Sequence, residues 1–166
     1  MSFKKVSVSE LKVNPFTAFA KDWALVSAGT PEENNTMTIG WGAMGTVWGK
    51  SAVTVYIRES RYTKRFVDAQ DAFAVCFFDP SFNEKLGYLG SVSGRDEHKV
   101  AKAGLTPAVC DGALYYEEAS LVFICRKLSA TVLNEFLDPS IDPGIYADKD
   151  YHTMYIGEVT AVLVKE

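Results

Sequence analysis

The chain has 166 residues, of which 48% are hydrophobic and 23% are charged, a balance typical of a folded domain and not of a disordered chain. Its formal net charge is −4, which argues against general nucleic-acid binding because phosphate contacts need clustered lysine and arginine. No apolar run approaches the ~20 residues of a membrane-spanning helix, and the length suits one domain over residues 1–166.

Strand patterns dominate the chain, because segments rich in β-branched and aromatic residues alternate with turn-forming stretches. Residues 29–35 read as a loop by composition. The segment Ala72–Phe78 is apolar on both faces, which predicts a strand in the middle of a sheet. In chain order the predicted strands are Trp23–Ala28, Thr36–Met44, Ala52–Arg58, Ala72–Phe78, Ala113–Glu117, Ser120–Leu128 and Met154–Lys165.

Two helices are predicted between strands. One spans Ser60–Ala69 with Ser60 as its N-cap, and the other spans Ser81–Leu89, where Ser81 and Glu84 would form a capping box. Many short strands with few helices predict a mainly β fold, a barrel or sandwich with short helices at its ends.

Two glycine-containing segments match nucleotide-binding motifs by letter but not by context. Residues 40–45 fit GxGxxG, yet a dinucleotide fingerprint needs a helix directly after it, and a strand-like run follows here. Gly49-Lys50-Ser51 resembles the end of a P-loop, but Met44 stands where that motif needs its first glycine. We therefore interpret these glycines as places where the backbone approaches a flat ligand or bulges.

Cysteine and histidine usage does not indicate disulfide, metal or hydrolytic chemistry. Three cysteines without CxxC spacing are typical of free thiols in a cytosolic protein, and the first residues lack the apolar core of a signal peptide. His98 and His152 are the only histidines, neither lies in an HxxxH motif, and no GxSxG elbow occurs. We predict a cytoplasmic protein without a metal site.

The segment 58–64 (RESRYTK) lies where a strong strand gives way to a predicted helix. The start of a helix offers free N–H groups and partial positive charge, which suit an anion. The segment adds hydroxyl and cationic groups there: Ser60, Thr63, Arg58, Arg61 and Lys64. This pattern fits a phosphate monoester, and the alternative is a plain helix cap with solvated charges.

Two further segments carry polar groups suited to a ligand. Residues 35–42 (NTMTIGWG) alternate polar and apolar side chains along a strand, and their glycines would let a flat ring lie close. Residues 91–99 (SVSGRDEHK) contain Ser93-Gly94, which can form a tight turn with free amides. The alternatives are a half-buried strand and a solvated loop.

Together these motifs resemble the flavin reductase-like proteins with an FMN-binding split barrel, and among them the flavoredoxins. The resemblance spans roughly residues 20–160. It rests on NTMTIGWGAMG (35–45), WGK (48–50), VYIRESRYT (55–63), SVSGRDEHK (91–99) and HTMYIGEV (152–159), in that order. The chain departs from the pattern at Lys50-Ser51, where relatives commonly have Lys-Pro, a change that affects loop stiffness more than chemistry.

The resemblance implies a split β-barrel with a few short flanking helices, and a homodimer with one FMN per subunit near the subunit interface. It implies that the strand 35–41 lies against the isoalloxazine, that the turn 58–63 holds the phosphate, and that the loop 93–95 closes over the flavin or its tail. His152 belongs to a late motif near the cofactor and is alternatively structural. The implied FMN-binding residues are Asn35, Thr36, Met37, Thr38, Trp41, Gly42, Arg58, Ser60, Arg61, Tyr62, Thr63, Ser93, Gly94, Lys99 and His152.

Three functions are compatible with these features. The first is an oxidoreductase that passes hydride from NAD(P)H to flavin, the second is an electron carrier supplied by a redox protein, and the third is a β-barrel binding module without flavin. Because FMN itself carries the redox chemistry, we predict no catalytic acid or base in the protein. We hypothesise that Thr38 and Lys99 stabilise the reduced flavin. The sequence leaves the choice between NADH, NADPH and a protein donor open.

Overall fold

Antiparallel strands form most of the computed structural model, which describes residues 2–166. In chain order they are β1 (Phe3–Val6), β2 (Ala24–Gly29), β3 (Asn34–Ile39), β4 (Gly42–Val47), β5 (Lys50–Arg58), β6 (Ala72–Phe77), β7 (Pro107–Cys110), β8 (Ala113–Tyr116), β9 (Leu121–Val132) and β10 (His152–Lys165). Eight of these form one sheet in the order β3-β2-β6-β9-β10-β5-β4, with β1 paired to β10, and β7 and β8 form a separate hairpin.

The helices are short and lie between strands. They are α1 (Pro15–Thr17), α2 (Tyr62–Ala69), α3 (Asn83–Ser91), α4 (Lys99–Lys102) and α5 (Ile141–Ile145). A π-helical turn, Ala18–Asp22, extends α1, and single 3₁₀ turns occupy Val8–Glu10 and Pro80–Phe82. No helix among the described residues is long and apolar enough to cross a membrane.

Strand β6 lies at the centre of the sheet and divides two apolar cores. Phe73 and Val75 pack into one core, whereas Ala74 and Cys76, one residue out of phase, pack into the other. All four are fully buried, because successive side chains of a strand point to opposite faces. The predicted central position of this doubly apolar strand is confirmed.

Strand β10 connects the two halves of the sheet. Its first half pairs with β5, its last four residues pair with β1, and β9 runs beside it for most of its length. The register with β9 shifts at Gly157 and again after Val159, and such bulges bend a strand. A Cβ at Gly157 would come within 2.7 Å of both the Cys125 Cβ and the Phe73 ring. Only glycine therefore fits here.

The predicted strand Thr36–Met44 is two strands, β3 and β4. They lie at opposite ends of the sheet order, so the chain leaves one edge and joins the other at Gly40-Trp41. Gly42 starts β4 against the Phe19 ring, which an added Cβ would approach to 2.4 Å. The sequence pattern also misses β1 and β7, whose side chains are only partly buried and show no clear alternation.

Both predicted helix starts are wrong. Helix α2 begins at Tyr62, and its N-cap residue is Arg61, whose guanidinium has only donors and makes no side-chain cap. The predicted cap residue, Ser60, lies one residue earlier and donates to Asp150 instead. The capping box at Ser81 is absent. Asp79 accepts a hydrogen bond from the Ser81 N–H, which starts a 3₁₀ turn ahead of α3.

We predict that Gly157→Ala lowers the free energy of unfolding by about 1–3 kcal/mol, the usual cost of forcing a group into a packed core. Gly45→Ala is the matched control, because an added Cβ on this strand glycine meets nothing within 4 Å; we expect a change within about 0.5 kcal/mol. Urea unfolding of both variants measures the difference. Equal effects of the two substitutions would contradict the packing of Gly157.

Candidate functional site

A cavity of about 260 Å³ lies between the start of α2 and the end of α3, and we call it the α2–α3 cavity. Strand β3 forms one wall and the loop 92–96 another. The sequence-predicted residues that line it are Asn35, Met37, Thr38, Ser60, Arg61, Tyr62, Thr63, Ser93, Gly94 and Lys99. The fold thus brings three separate sequence segments to one place.

The three cations of the segment 58–64 differ in whether they have a carboxylate partner. Lys64 forms ion pairs with Asp68 at 2.8 Å and Glu59 at 3.2 Å. Arg58 is also engaged and lies 3.7 Å from Asp148. Arg61 lines the cavity and has no ion pair within residues 2–166. Arg61 is therefore the cation of this turn that is available to a ligand.

Lys99 lies beneath the cavity with only 3% of its surface exposed. Its ammonium donates to the backbone carbonyls of Leu89, at 2.8 Å, and Val92, at 3.0 Å. Its pKa is lowered to about 8, chiefly by burial and also by the nearby Arg61 charge, against the opposing effect of Glu97. An ammonium has three donors, so one remains after the two carbonyls are satisfied.

A buried polar pair forms the wall beside Lys99. Asn35 donates from Nδ2 to Thr63 Oγ1 at 2.9 Å, which leaves the Thr63 hydroxyl proton free to donate. Gly94 packs against this pair, and a Cβ there would approach Asn35 Oδ1 to 2.4 Å. The close approach explains why this loop position is glycine.

A second cavity of about 190 Å³ adjoins the first, and we call it the Trp41 cavity. It shares Met37, Thr38 and Arg61 with the α2–α3 cavity, so the two form one groove along β3. Trp41, which is 50% exposed, lies 4.9 Å from the His152 ring between centroids. Cationic side chains thus line the whole groove, and Trp41, Tyr56 and His152 add aromatic rings at one end, which we call the aromatic end.

His152 lies in the Trp41 cavity within an aromatic cluster. Its Nδ1 and the Tyr146 hydroxyl are 2.8 Å apart. Burial lowers the pKa of His152, and the Arg58 and Arg61 charges lower it further, against the effect of Asp150. The imidazole is therefore neutral at pH 7.

Thirteen of the fifteen sequence-predicted residues line the groove, and Trp41, Arg58 and His152 do so only at its aromatic end. Thr36 lies outside both cavities, fully buried, and donates to the Val26 carbonyl at 2.8 Å. Gly42 also lies outside and faces Phe19. Thr38 lines the groove, but its hydroxyl donates to the Leu86 carbonyl at 2.6 Å, so it presents lone pairs rather than a proton.

Two residues near the groove escaped the sequence analysis. Asp150 accepts hydrogen bonds from Ser60, and Tyr146 bonds His152. Both lie on the connection between β9 and β10, which has no periodic pattern. Nothing in the sequence places that connection beside the turn before α2, which is some 90 residues earlier.

Residues 16–166 match the model of the flavin reductase like domain family. The chain belongs to this flavin reductase-like family. The match confirms the family inferred from the sequence motifs. No curated protein matches the chain in sequence.

Solved structures similar to this flavin reductase-like chain show the same fold. The flavoredoxin of Desulfovibrio vulgaris (Miyazaki F) superposes with a TM-score of 0.70 at 23% identity, covering 98% of this chain and 78% of that one. A Shewanella frigidimarina NCIMB 400 structure described as having a split barrel domain superposes with a TM-score of 0.69 at 17% identity, covering 88% of this chain and 68% of that one. The styrene monooxygenase flavin reductase of Pseudomonas putida S12 superposes with a TM-score of 0.60 at 17% identity, covering 85% of this chain and 78% of that one. The split-barrel fold expected from the sequence is confirmed.

We predict that His152 titrates below its ordinary pKa of 6.5. NMR titration measures this, with His98→Gln used to assign the two histidine signals. Arg61→Gln should raise the His152 midpoint, because it removes a nearby positive charge. Lys4→Gln is the control: Lys4 pairs with Val164 at the far end of β10 and should leave the midpoint unchanged. A midpoint at or above 6.5 would contradict the buried setting of the imidazole.

Proposed function

We propose that this protein binds FMN in the groove and passes hydride from NAD(P)H to the flavin. The observation that carries the proposal is the polarity of the groove. The α2–α3 cavity has buried donors and Arg61, which has no carboxylate partner within residues 2–166, and the Trp41 cavity adds the rings of Trp41, Tyr56 and His152 beside Arg58 and Arg61. FMN has the same division, with a phosphate monoester at one end and a flat ring system at the other.

The α2–α3 cavity suits the phosphate end. Arg61 supplies a charge, and Thr63 has a free hydroxyl proton. The N–H groups of Tyr62 and Thr63 have no acceptor within residues 2–166, whereas the Lys64 N–H donates to the Arg61 carbonyl. Lys99 adds a second positive charge with a spare donor. Hydrogen bonds from charged donors to phosphate are among the stronger polar contacts in proteins.

The Trp41 cavity suits the flat ring. Met37 and Trp41 supply apolar and aromatic surface, and Thr38 offers acceptor lone pairs toward ring N–H groups. The joined cavities fall within the ~300–1,000 Å³ typical of ligand sites. Neutral His152 beside Trp41 adds a polar group without adding charge.

FMN supplies the redox chemistry when bound, and the protein binds, orients and tunes it. The chain's own residues hold the phosphate, shield one edge of the ring and provide positive charge nearby. Arg61, which lines both cavities, would also stabilise negative charge that develops on a reduced ring, whereas Lys99 lines only the phosphate end. This division of work requires no acid or base from the protein.

A second candidate is an electron carrier that receives electrons from a redox protein. The likeness to a flavoredoxin supports it, and so do two exposed aromatic residues beside the groove, Phe16 at 88% and Trp41 at 50%. Exposed apolar patches often mark contact surfaces. The same patch supports a homodimer, which the family resemblance implies.

The visible spectrum of the purified protein tests the proposal, followed by anaerobic addition of NADH and then NADPH. We expect flavin absorbance near ~450 nm that bleaches within seconds with one of the two, because only the cofactor absorbs there. Bleaching only with dithionite or a reduced redox protein would favour the carrier. A protein that neither carries nor takes up FMN would overturn the proposal and favour a binding module without flavin.

We predict that FMN affinity is constant from pH 7 to about 8 and falls above it. Lys99 has a pKa of about 8 in the free protein, so it is charged below that pH and loses its proton above it. An anion raises the pKa of a nearby lysine, so binding takes up a proton at high pH and weakens by up to about tenfold per pH unit. Fluorescence titration of FMN measures the profile.

Lys99→Met is the control for that profile. It keeps the length of the side chain without its charge, so FMN should bind it more weakly and with no pH dependence between 7 and 9. Flat affinity in the unmodified protein, or the same fall in the variant, would contradict the role of Lys99.

A further inference from the structure

Ser60 stands at the entrance to the proposed phosphate site, yet all its polar groups have partners within the protein. Its N–H donates to Asp150 Oδ1 at 2.9 Å, and its hydroxyl donates to Asp150 Oδ2 at 2.5 Å. Its carbonyl accepts from Arg95 Nη1 at 3.0 Å. One carboxylate therefore uses both hydrogen-bond donors that Ser60 has.

The connection between β9 and β10, to which Asp150 belongs, also binds Arg58, which lies two residues before Ser60. Arg58 donates from Nη1 to the Asp150 carbonyl at 2.9 Å and from Nη2 to the Ile145 carbonyl at 3.1 Å. Its guanidinium lies 5.3 Å from the centre of the Tyr146 ring. The connection between β9 and β10 thus contacts the turn 58–61 at both ends.

Asp150 acts from behind the turn and does not occupy the groove. Ser60 and Arg61 line the α2–α3 cavity, whereas Asp150 lines neither cavity of the groove. Burial alone would raise the pKa of Asp150, but the bonds from Ser60 and the nearby Arg58 lower it. The carboxylate therefore remains ionised at pH 7 and keeps both Ser60 bonds.

We propose that Asp150 is a positioning residue for the phosphate site: by binding Ser60 and Arg58 it fixes the turn from which Arg61 and the first N–H groups of α2 face the ligand. Ser60 acts through Asp150 and is not itself a phosphate ligand. This inference rests on the proposed binding of FMN, and it corrects the role expected for Ser60 from the sequence.

The test compares FMN with riboflavin, which carries the same ring system without the phosphate. The flavin-free protein and its variants are titrated with each compound, and binding is followed by fluorescence. Asp150→Ala should weaken FMN binding about tenfold, as expected for loss of a charge-assisted hydrogen bond. Riboflavin binding should not change, because Arg58 keeps its bonds to the backbone carbonyls of residue 150 and Ile145, and the ring end of the groove therefore keeps its walls.

Three further variants distinguish the hydrogen bonds of Asp150 from its negative charge. Asp150→Asn keeps an oxygen that accepts from the Ser60 N–H, so it should bind FMN within about threefold of the unmodified protein. Glu135→Ala removes an exposed carboxylate of the same connection that has no hydrogen bond or ion pair within residues 2–166, and it should leave both affinities unchanged. Ser60→Ala should weaken FMN binding no more than Asp150→Ala does.

Three results would overturn the proposal. Equal or tighter FMN binding by Asp150→Ala would mean that the carboxylate competes with phosphate. Equal loss of FMN and riboflavin would mean general structural damage, and a larger loss in Ser60→Ala would make Ser60 a direct ligand. If the unmodified protein binds FMN no tighter than riboflavin, the proposed phosphate site is wrong. This result is obtained before any variant is compared, so it is distinct from a failure of the role proposed for Asp150.

Discussion

The ammonium group of Lys99 lies buried beside the groove with two backbone carbonyls as partners and no carboxylate. Burial of a charge is costly unless it is paired and hydrogen-bonded, and here the lowered pKa reports that cost. Arg61, close enough to lower that pKa further, faces the same cavity without an ion pair. Arg95 lines this cavity as well, so three positive groups share it and repel one another, and an anion among them would relieve the repulsion. The phosphate site that we propose rests on this constraint.

Two other cations near the groove, Lys64 and Arg58, are held by contacts within the protein. Lys64 is held by Asp68, which also accepts a hydrogen bond from Tyr155 at 2.5 Å, so α2 is tied to β10. Arg58 is held by the connection before β10. Each of these contacts fixes the position of a helix or turn, and the cation in it already has a partner within the protein. Among the described residues, the cations of the α2–α3 cavity without a carboxylate partner are Arg61, Arg95 and Lys99.

The sheet topology brings this set together. Strand β10 contributes His152 at its start, β3 contributes one wall, and the turn after β5 contributes Arg61. Strand β10 pairs directly with β5, with His152 opposite Arg58. The segment 152–159 and the turn before α2 therefore meet at the same end of the sheet. The hydrogen-bonded ladder thus places His152 and Arg58 side by side in the Trp41 cavity.

The sequence by itself determined the β-rich fold, the central position of β6, the family and most of the groove residues, because apolar alternation and short motifs are local properties. It missed the break at Gly40-Trp41, since a strand pattern does not show which edge of a sheet the chain joins next. It also assigned Ser60 to a helix cap. Only the tertiary structure decided that Ser60 binds Asp150, that Lys64 is paired and Arg61 is free, and that Lys99 is buried. These outcomes depend on contacts between residues far apart in the chain, and the free energy of a buried charge depends on all of its neighbours at once.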